Sequence, residues 1–98
     1  TVPDKRIAND VAKCILKYRM AACVSAIERV ESLFSWDGEI EKEKEVLLTI
    51  KTLRCNFDKI KTLITELHPY NVPEIIALPI VECSKEYLQW LVHETKQQ

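Results

Sequence analysis

Cys23, His68 and Glu74 carry the clearest metal-binding chemistry in this chain. A thiolate and an imidazole together suit copper, as Cu2+ or, with the thiolate especially, as Cu+. Glu74 would add a weaker oxygen ligand. No chelating spacing links the three, and a firm site needs three or four ligands in a defined geometry. Each residue therefore also has a structural reading. Cys23 sits where a strand enters the core and suits a buried thiol. His68 suits a hydrogen bond at a helix C-terminus, where the dipole favours an imidazolium.

Lys51, Tyr70, Trp36 and Trp90 form a second set. With the loop from His68 to Glu74 they could line a cleft between subunits, since ligand sites combine an apolar wall with a few fixed polar groups. Lys51 and Glu74 could act there as acid and base, or pair as structural ions. Tyr70, Trp36 and Trp90 could equally be packing anchors, because aromatic rings dominate buried area. An enzymatic site would need perturbed pKa values and a substrate-sized pocket, and the sequence displays neither. We expect no catalytic residues. Cys14, Cys55 and Cys83 look incidental.

The elements that must position these residues follow from periodicity. Ile7, Ala8, Val11, Ala12, Ile15 and Leu16 repeat at three and four, a helix stripe. Pro3 and Asp4 suit its start, and Lys13, Lys17 and Arg19 its end. From Ala22 the pattern is extended: Cys23, Ser25 and Ile27 share one phase, Val30, Ser32, Phe34 and Trp36 the other. The flip predicts a β-bulge near Glu28. Asp37-Gly38 predicts a two-residue hairpin turn, because both positions need positive φ. The return strand from about Glu39 to Leu53 then sets Glu31 opposite Lys44. Apolar groups on both faces near Val46 to Ile50 predict a covered, central stretch.

A second helix carries Phe57, Ile60, Leu63, Ile64 and Leu67, with Asn56 as N-cap. His68 to Glu74 is a rigid linker containing two prolines. Ile75 to Pro79 reads as a short strand, and Ser84 caps a last helix bearing Tyr87, Leu88, Leu91 and Val92. The order α-β-β-α-β-α, with one strand placed before Thr1, becomes a ferredoxin-like βαββαβ sandwich with an extra C-terminal helix, an α+β fold. That first strand would lie inside the sheet, so the chain is expected to start one strand late.

The chain has 98 residues, enough for a single domain spanning 1–98. Fourteen basic residues against fifteen acidic ones offer no basic face for nucleic acid. No apolar run approaches a membrane span, and the polar, periodic start does not read as a signal peptide. Four scattered cysteines without a CxxC pair suggest free, mostly buried thiols in a reducing, cytoplasmic compartment. A single glycine leaves no phosphate-cradling loop. Each hairpin arm should reach roughly 45 Å at the usual strand rise, against a radius of gyration of about 13 Å for a domain this size. Leu33, Phe34, Trp36 and Ile40 near its tip predict burial by a neighbouring subunit.

Several segments resemble one family. Arg19-Met20-Ala21-Ala22-Cys23-Val24 is similar to the entry into the second strand of CutA divalent-cation tolerance proteins. Ser32 to Ile40 resembles their hairpin, Glu45 to Thr52 their E-V-x-L-x-I-K-T strand, and His68-Pro69-Tyr70-Asn71-Val72-Pro73-Glu74-Ile75 their H-P-Y-x-x-P-E-[IL] loop. Tyr87-Leu88-Gln89-Trp90-Leu91 closes the pattern. The matches are spread over essentially the whole chain, in order. The resemblance implies a ferredoxin-like fold, a homotrimer whose long hairpins wrap neighbouring subunits, and kinship in shape with PII signalling proteins. It implies an association with tolerance to copper and other divalent metal ions. In eukaryotic members it implies a role in assembling or anchoring a protein partner. It carries no established catalytic reaction. The family's first strand is here reduced to Thr1.

Overall fold

Asp4 starts the first helix. Its backbone is extended (φ −152°), and its carboxylate accepts the Ile7 N–H at 2.9 Å, satisfying one of the helix's orphan donors. In the computed structural model, which describes residues 1–96, α1 spans Lys5–Lys17 and buries Ala8, Val11 and Ile15. Leu16, at the edge of the stripe, stays exposed. The helix stops at Arg19, which takes left-handed backbone (φ 55°) while Met20 N–H returns to the Ile15 carbonyl at 2.9 Å. Glycine usually fills such a position. Arg19 holds it through other contacts: its side chain donates to the carbonyls of His93 (2.7 Å) and Glu94 (3.3 Å). Its own carbonyl accepts from Lys96 N–H at 2.7 Å.

β1 (Cys23–Trp36) and β2 (Glu39–Lys51) form one antiparallel ladder. Asp37 and Gly38 both have positive φ, 50° and 80°, as the predicted two-residue turn requires. The register sets Glu31 opposite Lys44. The ion pair, however, is diagonal, from Lys42 to Glu31 at 3.2 Å. The predicted bulge is present: Glu28 and Arg29 intervene between Ile27↔Leu47 and Val30↔Glu45, where the partner strand has Val46 alone. Arg29 absorbs the extra residue at φ 63°, and the side chains beyond it change face.

A single turn of 3-10 helix, Arg54–Asn56, leads into α2 (Phe57–Leu67), which buries Ile60 and Ile64. Asn56 holds the predicted N-cap place without capping: its amide donates to the Lys96 carbonyl at 2.9 Å. α3 (Lys85–Glu94) begins as expected, with Ser84 Oγ accepting the Tyr87 N–H at 3.4 Å. Of its predicted apolar face only Leu91 is buried. α1 and α2 pack together through Val11, Ile15, Ala21, Ile60 and Ile64, and Val24, Leu48, Ile50 and Ile75 close that core. A smaller cluster joins Val2, Ala8 and Val46.

The third strand is a correction. Residues 73–84 are not a strand, and among the described residues the sheet has two strands. Pro73 and Pro79 lack N–H donors, and the segment finds no strand beside it. The covered stretch expected at Val46 to Ile50 is present, Val46 buried and the rest half-buried; its central pairing is met, among the described residues, by Val46, which exchanges backbone hydrogen bonds with Val2 at 2.8 and 2.9 Å. Val72, Ile76, Leu78, Ile80 and Val81 are left exposed. What the described residues present is a small mixed α/β domain of a two-stranded antiparallel sheet and three α-helices, 45 Å in its longest dimension.

Candidate functional site

Strand register brings the first candidate pair together. Cys23 and Lys51 are direct partners across the β1–β2 ladder. Lys51 Nζ lies 3.9 Å from Cys23 Sγ and donates to Ser25 Oγ at 3.3 Å. Ser25 Oγ stands 3.8 Å from the same sulfur. Ser25 belongs to this group because it is two residues from Cys23, on the same face of the strand. The alternating phase contained that information, and only the chemistry of a lone hydroxyl kept it out of the predicted set. Lys51 is spent on this cluster: among the described residues it forms no ion pair with Glu74. The acid–base pair the sequence allowed is therefore not assembled within one chain.

The second cluster centres on the end of α2. His68 is buried, and both its ring nitrogens are engaged. Nδ1 accepts the backbone N–H of Tyr70 at 3.1 Å, and Nε2 stands 2.9 Å from the Thr1 carbonyl. An acceptor at Nδ1 leaves the proton on Nε2, which then donates to Thr1. The rings of His68 and Tyr70 lie 4.6 Å apart at 55°. Glu74 is exposed, with its carboxylate 3.8 Å from the Thr1 nitrogen.

Tyr70 reaches from this loop to Glu45 on β2. Glu45 is only 6% exposed, although it closes a run of alternating Glu and Lys. The tyrosine hydroxyl holds its proton above the usual value for its type. Burial contributes most, followed by the negative charges of Glu45 and Glu43 and the hydrogen bond to Glu45. A protonated hydroxyl can donate to a buried carboxylate; an ionised one would repel it. Glu45 was missed because nothing in a Glu-Lys-Glu-Lys-Glu run marks which member turns inward.

The remaining candidates stand apart from these clusters. Trp36 ends β1 at the hairpin turn, and Trp90 sits on α3 with its ring 5.5 Å from Tyr87. Both indoles are exposed, so neither anchors the core of the single chain. Cys23, His68 and Glu74 are not brought together, and no group of three or more His, Cys, Asp or Glu side chains placed to hold a metal occurs among the described residues. Within one chain these residues do not compose a copper centre: the imidazole has no free lone pair and the thiol has an ammonium beside it.

The architecture is that of a small α/β domain organised around one long β-hairpin. The family model for the CutA1 divalent ion tolerance protein matches residues 1–94, and the chain belongs to that family. It is 44% identical over 95 residues to the divalent-cation tolerance protein CutA of Thermus thermophilus, covering 97% of this chain and 92% of that protein. To human protein CutA it is 36% identical over 96 residues, 98% of this chain but 54% of the human protein; the chain thus spans about half the length of that relative. The solved structure of the Thermus thermophilus protein superposes with a TM-score of 0.94 at 43% identity, covering 97% of this chain and 92% of the other. That of CutA1 from Oryza sativa gives 0.96 at 36% identity, covering 99% and 89%.

Proposed function

We propose that this protein is a homotrimeric, cation-responsive binding protein, and that it is not an enzyme. The trimer is the reading best supported by one observation: the single chain leaves two groups of apolar side chains uncovered. Phe34, Trp36 and Ile40 lie on the hairpin arm, and Ile76, Leu78, Ile80 and Val81 on the extended segment beyond α2. Exposed apolar surface on that scale calls for a covering surface. A second and third copy supply it, the arm of one lying along the open segment of the next. The sheet so completed would have the ferredoxin-like order, with PII-like kinship in shape.

The cation response follows from family membership and from the softness of the Cys23 sulfur. Copper, as Cu2+ or Cu+, is the cation to try first. Cys23 would supply the thiolate and Glu74 an oxygen, with ligands drawn from more than one copy. His68 would join only by giving up one of its two hydrogen bonds. Lys51, Tyr70, Trp36 and Trp90 would line the cleft between copies. Four free thiols, half-buried at Cys14 and Cys23 and exposed at Cys55 and Cys83 rather than mostly buried as expected, favour a reducing, cytoplasmic setting.

A second reading is a trimeric scaffold that anchors a protein partner. The absence of a three-ligand group among the described residues favours it. Isothermal titration of Cu2+ into protein whose oligomer has been fixed by light scattering separates the two. Saturable copper, weakened by Cys23→Ser, supports the cation reading. Weak, non-saturating heats would leave the scaffold.

A further inference from the structure

The cross-strand contact between Cys23 and Lys51 has redox chemistry beyond the copper ligation proposed for Cys23. Cys23 is a free thiol, and the amine of Lys51 is its partner across the ladder. Cys23, Ser25 and Lys51 are all half-buried, so the pair is partly open to small molecules. Directly opposed residues on an antiparallel ladder have Cβ atoms about 4.5–5.5 Å apart. A short bridge between a cysteine sulfur and the tip of a flexible lysine therefore closes without moving either strand. From the observed 3.9 Å between Nζ and Sγ, rotation about the lysine stem covers the remaining gap.

We propose that Cys23 and Lys51 form a reversible sulfenamide cross-link when the protein meets hydrogen peroxide, fastening β1 to β2 at the base of the hairpin arm. The Cys23 sulfur attacks one peroxide oxygen, the O–O bond breaks, and the departing hydroxide takes up a proton to become water. Sulfur has lost two electrons to the peroxide and stands as the sulfenic acid. Lys51 yields its extra proton to solvent and attacks the sulfur with the nitrogen lone pair. The S–N bond forms as the S–O bond breaks, and the second oxygen leaves as water. The sum is R–SH + R′–NH2 + H2O2 → R–S–NH–R′ + 2 H2O. Sulfenic acids condense in the same manner with backbone nitrogen; here the register supplies an amine. An external thiol attacking the sulfur returns both side chains.

The test uses the full chain with Cys14, Cys55 and Cys83 changed to serine, exposed to hydrogen peroxide and followed by intact-mass and peptide mass spectrometry. The expected product has lost two hydrogens, joins the Cys23 peptide to the Lys51 peptide, and is reversed by dithiothreitol. Lys51→Arg should instead yield a sulfenic acid trapped by dimedone. Peptide mapping of the chain with all four cysteines reports the same linkage if the triple substitution does not fold. Oxygen added at Cys23 with no linked peptide, to the same extent in Lys51→Arg, overturns the proposal, as does a Cys23 left unmodified.

Discussion

Tyr70 donates its backbone N–H to Nδ1 of His68 at 3.1 Å while the two rings meet at a tilt, 4.6 Å apart. The contact fixes the histidine tautomer and turns its other nitrogen to the Thr1 carbonyl. One buried ring thus closes α2, orders the loop behind it and holds the start of the chain. His68→Ala is expected to lower stability by about 1–3 kcal/mol, because it leaves two backbone groups without their partner. Urea unfolding of the two proteins gives the difference. A change within a few tenths of a kcal/mol would mean that water replaces the ring.

The alkaline limit of stability should depend on Tyr70. Its hydroxyl pKa is raised above 10.0 in the fold, chiefly by burial and then by Glu45 and Glu43. Between the unfolded and folded values the native state holds the proton more firmly than the unfolded chain. The contribution is therefore complete below pH 10.0 and is lost as pH rises through the folded value. Tyr70 is 38% exposed, which keeps the effect small. Tyr70→Phe should flatten the decline in melting temperature above that pH, and parallel declines in the two proteins would exclude the Tyr70–Glu45 contact as its source.

Gly38 isolates a backbone cost. At φ 80° it adopts a conformation that side chains disfavour, yet a Cβ built there meets nothing within 4 Å. Gly38→Ala should cost about 1–2 kcal/mol, all of it conformational. Chemical denaturation measures the loss. A neutral result would show that the turn relaxes at no cost.

Arg19 separates backbone strain from side-chain clamping. It sits at φ 55°, where glycine would be at ease, but its guanidinium holds the carbonyls at the end of α3. Arg19→Ala loses the clamp and keeps the strain; Arg19→Gly loses the clamp and relieves it. Alanine should therefore be the less stable variant by about 1 kcal/mol, and the reverse order in urea midpoints would refute the strain argument.

These residues also mark what could be read before the fold was known. The turn at Asp37-Gly38, the bulge after Ile27 and the α1 stripe are local: each follows from a few neighbouring residues and a fixed period. The pairing of Cys23 with Lys51 was one step further, since it follows from counting outward from the turn across the bulge. What was hidden depends on contacts between distant segments. Nothing in the run from Glu41 to Glu45 says that Glu45 alone is covered, because Tyr70 of a distant loop covers it. Asn56 has the residue type of an N-cap but is used by Lys96. Ile75 to Pro79 has strand composition without a strand beside it, so periodicity could not tell pairing from exposure.

That last segment provides the sharpest test of assembly. Leu78 and Val81 are 84% and 88% exposed, so in an isolated chain a charged residue at position 78 should change stability by no more than about 0.5 kcal/mol. If copies cover this surface, the same substitution places a carboxylate in an apolar interface without a partner, which costs several kcal/mol. Leu78→Glu should therefore convert a particle of three chains into free chains of 11.4 kDa in sedimentation velocity. The far-ultraviolet circular dichroism of α1 and α2 should persist, since their shared core of Val11, Ile15, Ile60 and Ile64 lies elsewhere. Loss of mass with loss of helix would point to general unfolding. An undiminished mass would remove residues 76–81 from the interface and leave the hairpin arm, with Trp36 and Phe34, as the surface that joins the copies.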